Sequence, residues 1–119
     1  MSRILIVEDD ESLIMMLEIA LRPLQHEVIR CPNGADAVPM IRAHQPDLVI
    51  LDLMMPSAAG DTVLGAIRAD GEISDTTVIV MSAHPKGESI AQAAGADLFV
   101  AKPVDIRSFR ETISQLLAQ

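Results

Sequence analysis

The chain has 119 residues, half of them hydrophobic, with one cysteine and a formal net charge of −8. That length suits one domain, 1–119, with a core large enough to need no disulfide or structural metal, and the lone Cys31 excludes an internal disulfide. The acid excess, with only two aromatic residues, Phe99 and Phe109, argues against direct nucleic-acid binding, which needs basic residues and stacking rings.

Met1-Ser2-Arg3 leads into an apolar run too short for a signal-peptide core, and no stretch approaches the roughly 18 apolar residues of a membrane span. The expectation is a soluble cytoplasmic protein with no membrane partner, in which Cys31 is a small buried hydrophobe.

In chain order, residues 4–7 (Ile-Leu-Ile-Val) are apolar at every position, as in a strand covered on both faces. Three acids, Glu8, Asp9 and Asp10, follow. Leu13, Leu17, Ala20 and Leu21 recur at helical spacing. Residues 27–31 predict a second strand. Residues 34–44 predict a helix burying Ala37, Val38 and Ile41, with Pro39 forcing a kink or a late start. Residues 48–51 and 78–81 are again wholly apolar and predict central strands. Between them, Val63, Ala66 and Ile67 mark a helix after Gly60. A short helix over 89–94 and a strand over 98–101 come next. Phe109, Ile113, Leu116 and Leu117 mark the last helix, with Asp105 as its N-cap after Pro103. Five strands alternating with five helices predict a single doubly wound α/β sheet.

In such a sheet, function gathers beyond the carboxyl ends of the strands. Glu8, Asp9 and Asp10 follow the first strand, Asp52 the third, Ser82 the fourth and Lys102 the fifth. Two unit charges about 4 Å apart repel by about 4 kcal/mol at an effective dielectric near 20, so clustered carboxylates call for a cation. All-oxygen donors point to Mg²⁺ rather than zinc. His26, His44 and His84 lack ligand spacing and read as surface or structural residues. Taken singly, the acids after the first strand could cap a helix, Ser82 could be a cap and Lys102 a surface lysine. Their joint placement at strand ends favours a site.

The segments 4–11 (ILIVEDDE), 46–56 (PDLVILDLMMP), 81–83 (MSA), 95–97 (GAD) and Lys102-Pro103 resemble the response-regulator receiver family, in the right order and over essentially the whole chain. The resemblance implies a flavodoxin-like fold with strand order 2-1-3-4-5. It implies Asp52 as phosphoacceptor and a Mg²⁺ site (Mn²⁺ could substitute) made by Asp9, Asp52, the main-chain carbonyl of Met54 and, through water, Glu8. Asp10 then falls to helix capping. Ser82 would bond one phosphoryl oxygen and Lys102 another. The Lys102–Pro103 peptide would be cis, and Phe99 would be the aromatic switch that follows Ser82.

The implied partners are a sensor histidine kinase or phosphotransfer protein and a downstream effector domain or protein, with the chain acting as a monomer or weak dimer. It would be no enzyme beyond catalysing its own aspartyl phosphorylation and dephosphorylation. Two departures stand out. Ala59 replaces the Asp often found before the glycine, and the stretch from Ser82 to Lys102 is about two residues short, so its loop or its helix is trimmed. Leu98 and Thr112 stand where one large dimerising subfamily carries charges. Competing readings are a phosphohydrolase of the haloacid-dehalogenase type, which needs an acid where Met54 stands, and a degenerate receiver used only for docking, which would have lost one of the site residues. The chain could be a free-standing regulator or part of a longer one.

Overall fold

A computed structural model describes residues 2–118. Five strands, β1 (Arg3–Val7), β2 (Glu27–Cys31), β3 (Leu48–Asp52), β4 (Val78–Ser82) and β5 (Leu98–Ala101), form one sheet in the order β2-β1-β3-β4-β5. Every neighbouring pair is parallel. The helices are α1 (Glu11–Leu21), α2 (Ala37–His44), α3 (Gly60–Ala69), α4 (Gly87–Ala94) and α5 (Ile106–Leu117). The fold is the predicted flavodoxin-like one.

Strand residues alternate between two cores because successive Cβ atoms point to opposite faces. Ile4, Ile6, Leu48, Ile50, Ile79 and Met81 pack with Ile14, Leu17, Phe109 and Ile113 of α1 and α5. Leu5, Val7, Val49, Leu51, Val78 and Val80 pack with Ile41, Leu64, Ile67 and Ala91 of α2, α3 and α4. Full burial of each such side chain stabilises by about 1.5–3 kcal/mol, which is why the three central strands can be wholly apolar. The edge strands β2 and β5 are partly exposed and carry polar or exposed positions such as Glu27, Arg30 and Leu98.

Sequence and structure differ at several points. Residues 34–36 form a 3₁₀ turn and α2 begins at Ala37, so Pro39 lies in the first helical turn, where its missing amide hydrogen costs no intrahelical bond. The late start, and not the kink, is the outcome. In α3 the buried face includes Leu64, whereas Ala66 is exposed. In α1, Ile14 is buried and Leu13 only half-buried. Helix α4 starts two residues early, at Gly87, and Leu116 and Leu117 are half-buried. Asp105 caps α5 through the amide of Arg107, as read from the sequence.

Arg68 staples the far end of the sheet. Its guanidinium donates to the carbonyls of Gly95, Ser74 and Thr76 and to Asp97, whose Oδ2 also accepts from the amide of Val78 at 2.8 Å. One side chain of α3 thus holds the starts of β4 and β5 together.

At the other end, α3 begins hard against β3. A Cβ on Gly60 would stand 2.4 Å from the carbonyl oxygen of Asp52 and 2.5 Å from Cα of Leu53. Ala59, just before it, has the extended backbone of an N-cap but no side chain to fill that role. Two outcomes follow for equilibrium unfolding. Ala59→Asp adds an acceptor for the free amides of the first turn and raises stability by about 0.5–2 kcal/mol. Gly60→Ala lowers it by about 1–3 kcal/mol, because backbone must move to admit the methyl group. Unchanged denaturation midpoints would show that the first turn is capped by other means and that the contact is soft.

Candidate functional site

The order β2-β1-β3 reverses the direction of winding between β1 and β3. The connections after these two strands leave for opposite faces and open a crevice at their carboxyl ends. The amide of Glu8 donates to Cys31 O at 3.2 Å, which extends the β1–β2 pairing and turns Glu8 inward, where it is 1% exposed. Asp52 is the last residue of β3, opposite Met81, and is 4% exposed. Ser82 ends β4 opposite Ala101 and is 1% exposed. The amide of Lys102 donates to Ser82 O at 2.9 Å and sends the side chain back over the strand ends.

Lys102 Nζ lies 3.1 Å from Asp52 Oδ1 and 3.7 Å from Glu8 Oε1. Two nearly buried carboxyl groups therefore share one ammonium. Burial above all, then Asp52 beside it as hydrogen-bond partner and as negative charge, pushes the Glu8 carboxyl up to about 8. Lys102 and the amide of Asp9, 3.2 Å from Glu8 Oε2, oppose that shift without cancelling it. The crevice is short of positive charge.

Asp9 and Asp10 part company. Asp10 Oδ1 accepts from the amides of Ser12 and Leu13 and caps α1. Asp9 turns toward the β3–α3 connection, where Oδ2 accepts from Ser57 N at 3.0 Å and Oδ1 from Ser57 Oγ at 2.9 Å. Glu8, Asp9, Asp10, Asp52, Met54, Pro56 and Lys102 line one cleft of about 360 Å³, which Ser82 does not reach. Among the described residues no three acid, histidine or cysteine side chains converge as a ready-made cation cage. Met54 donates its amide to Asp52 Oδ1 at 3.3 Å.

Ser82 Oγ accepts from the amide of His84 at 2.9 Å, and His84 Nδ1 accepts from the amide of Lys86 at 3.0 Å. His84 thus braces the four-residue connection from β4 to α4, and His26 accepts from the amide of Ser2 in a comparable structural role. Phe99 is half-buried against the α2–α3–α4 side of the core. Cys31 is buried and its thiol is pushed up to about 11 by burial, which suits a packing residue. The Lys102–Pro103 peptide is cis.

Two residues at the site escaped the sequence reading. Ser57 contacts Asp9, and its only signal was a hydroxyl in the loop after Pro56. Gly87 lies between Ser82 and Phe99. A Cβ there would stand 2.9 Å from Ser82 Cβ and 3.1 Å from Phe99 Cε1. A glycine at a helix start gave no hint of that approach.

Known proteins share this layout. The family model for the response regulator receiver domain matches residues 4–114. The polar-differentiation response regulator DivK of Brucella anthropi is 31% identical over 116 residues, which span 96% of this chain and 94% of DivK. Protein PilH of Pseudomonas aeruginosa is 32% identical over 120 residues, 99% of each chain. The crystal structure of the signal receiver domain of a DNA binding response regulator from Colwellia psychrerythraea is 30% identical, covers 100% of both chains and superimposes with a TM-score of 0.91. A sheet of order β2-β1-β3-β4-β5 with acids, a serine and a lysine at its carboxyl edge, matched by that family model over residues 4–114, puts this chain in the response regulator receiver domain family.

Proposed function

We propose that the chain is a phosphoacceptor switch: Asp52 takes a phosphoryl group from a sensor histidine kinase or phosphotransfer protein, and the face formed by α4, β5 and α5 changes its affinity for a downstream effector. The observation that carries this reading is the contact of Lys102 Nζ with Asp52 Oδ1 at 3.1 Å beside buried Glu8. A buried carboxylate held by a lysine at the open end of a parallel sheet is an oxygen nucleophile with a cation ready to neutralise incoming charge.

In the transfer, an oxygen of Asp52 bonds to phosphorus as the phosphorus–nitrogen bond of the donor phosphohistidine breaks. The electron pair leaves with the imidazole nitrogen. Lys102 pairs with one phosphoryl oxygen, and the Ser82 hydroxyl donates to another. The donor set of the cleft is all oxygen and short of positive charge, which fits a hard divalent cation such as Mg²⁺ or Mn²⁺. Asp9, Asp52 and the Met54 carbonyl would hold it, with Glu8 through water. Bound there, Mg²⁺ would supply charge neutralisation to the moving phosphoryl group.

Turnover of external phosphoesters is disfavoured. The residue two places after Asp52 is Met54, whose thioether offers no acid–base chemistry. We therefore assign no enzymatic role beyond self-phosphorylation and dephosphorylation, and infer a cytoplasmic protein acting as monomer or weak dimer.

Gly87 gives the switch a concrete form. When Ser82 turns from the His84 amide toward a phosphoryl oxygen, a charge-assisted bond contributes about 1.5–3 kcal/mol. The space between Ser82 and Phe99 is the gap that only a glycine leaves open. Phosphorylation is thereby coupled to the start of α4 as well as to the ring.

Three measurements test these assignments. With a small phosphodonor and Mg²⁺, intact mass should show one hydroxylamine-labile phosphate on the parent and none on Asp52→Asn; equal labelling of both would move the acceptor elsewhere. Asp9→Ala should abolish Mg²⁺ binding in calorimetry. Asp10→Ala should spare it and instead cost about 1 kcal/mol of stability through the lost cap; the reverse pattern would reassign the ligand. Gly87→Ala should shift the Phe99 ring resonances before any phosphate is added and shrink the change that a beryllofluoride mimic of the phosphoryl group produces along β5. An unchanged response would remove Gly87 from the switch.

A further inference from the structure

We propose that Ser57 is the positioning residue of the cation site, clamping Asp9 to the loop that also carries the Met54 carbonyl. The inference rests on the reading of Asp9 as a cation ligand. Both donors of Ser57 point at one carboxylate: its amide donates to Asp9 Oδ2 at 3.0 Å and its hydroxyl to Asp9 Oδ1 at 2.9 Å. The direction of the hydroxyl is fixed by a third contact. The amide of Gly34 donates to Ser57 Oγ at 2.9 Å, and an amide can only donate, so the hydroxyl hydrogen is left for Asp9.

Two donors from one residue fix the position and the plane of the Asp9 carboxylate together. Each oxygen keeps a lone pair for a cation, since an ionised carboxylate accepts about four bonds. Asp9 follows β1 and Met54 follows β3, so without the clamp the two would move with separate loops. Gly34 begins the 3₁₀ turn before α2, which ties a third connection to the same hydroxyl. Donors that orient a ligand are worth about 10–100-fold in metal affinity.

The test titrates MgCl₂ into the full chain and into Ser57→Ala and Ser57→Thr, reading affinity by calorimetry and by amide shifts at residues 8–10. Ser57→Ala should bind about 10–100-fold more weakly, and its melting temperature should fall as well because the Gly34 amide loses its acceptor. Ser57→Thr keeps the hydroxyl and should stay near the parent, a rescue that a general packing role would not produce. In the metal-free protein, Asp9→Asn should move the Ser57 amide proton upfield by weakening a charged acceptor. Failure of the parent to bind Mg²⁺ would overturn the cation site and this inference with it. A parent that binds, with Ser57→Ala binding equally or more tightly, would overturn the clamp alone.

Discussion

One ammonium group faces two buried carboxyls, and much of the site's behaviour follows from that imbalance. Lys102 touches Asp52 at 3.1 Å and reaches Glu8 at 3.7 Å. Removing a charge from water costs several kcal/mol, and one lysine cannot repay that for two acids. Burial and the neighbouring Asp52 push the Glu8 carboxyl upward. Asp52 is left with a lysine already beside the oxygen proposed to react. A phosphoryl group adds more negative charge to the same crevice, on the scale of roughly −1.5 to −2 for phosphorylated hydroxyl side chains, and so disturbs a balance that is already strained.

The scaffold tolerates this strain because the charge sits at the very end of strands that are otherwise apolar. Leu48, Val49, Ile50 and Leu51 are fully buried before Asp52, and Val78 to Met81 before Ser82. Each polar residue is the last of its strand and is paired on one side, Asp52 opposite Met81 and Ser82 opposite Ala101, and Asp52 also lines the cleft. The close seating of Gly60 on the carbonyl of Asp52 leaves that strand end little freedom to drift. At the opposite edge, Arg68 bonds three carbonyls and Asp97, so the residues at the start of β4 and β5 are fixed by a single side chain. Asp97, part of the sequence resemblance, has this structural task.

The sequence made the sheet legible because period and burial agree there. Wholly apolar runs of four can only be central strands in a chain that alternates with helices, and the register of Asp52 and Ser82 at their ends followed directly. Helical faces were read less well. Ala66 and Leu64 both fit a helical stripe when the phase is set by only three residues, and the larger side chain took the buried place. Pro39 allowed two outcomes, and the turn capped by Asn33 selected the late start. Ser57 and Gly87 were invisible for another reason. Ser57 acts across 48 residues on Asp9, and Gly87 acts by the close approach of the α4 start to Ser82 and Phe99, and no local pattern encodes either.

Asp52 and Ser82 lie at strand ends, while Ser57 and Ala59 lie on the β3–α3 connection and Gly87 opens α4 after the β4–α4 connection. Ala59 leaves α3 uncapped, Ser57 grips Asp9, and the four-residue link from Ser82 brings Gly87 against Phe99. A strand end is fixed by ladder pairing with its neighbour, so a change there would disturb that neighbouring strand at once. A connection is anchored only at its ends and by the contacts it makes for itself, and it can change without moving the sheet. The nucleophile and the cation proposed for this site, Asp52 and Lys102, accordingly sit at the end of β3 and just after β5. Tuning belongs on the loops: how firmly Asp9 is oriented, how readily α4 yields to the ring of Phe99, which surface α4 and β5 then show. Under the proposed function the reaction would stay on the sheet while the connections vary, because the contacts that hold Asp52 to Lys102 and those around Gly87 and Phe99 are different ones.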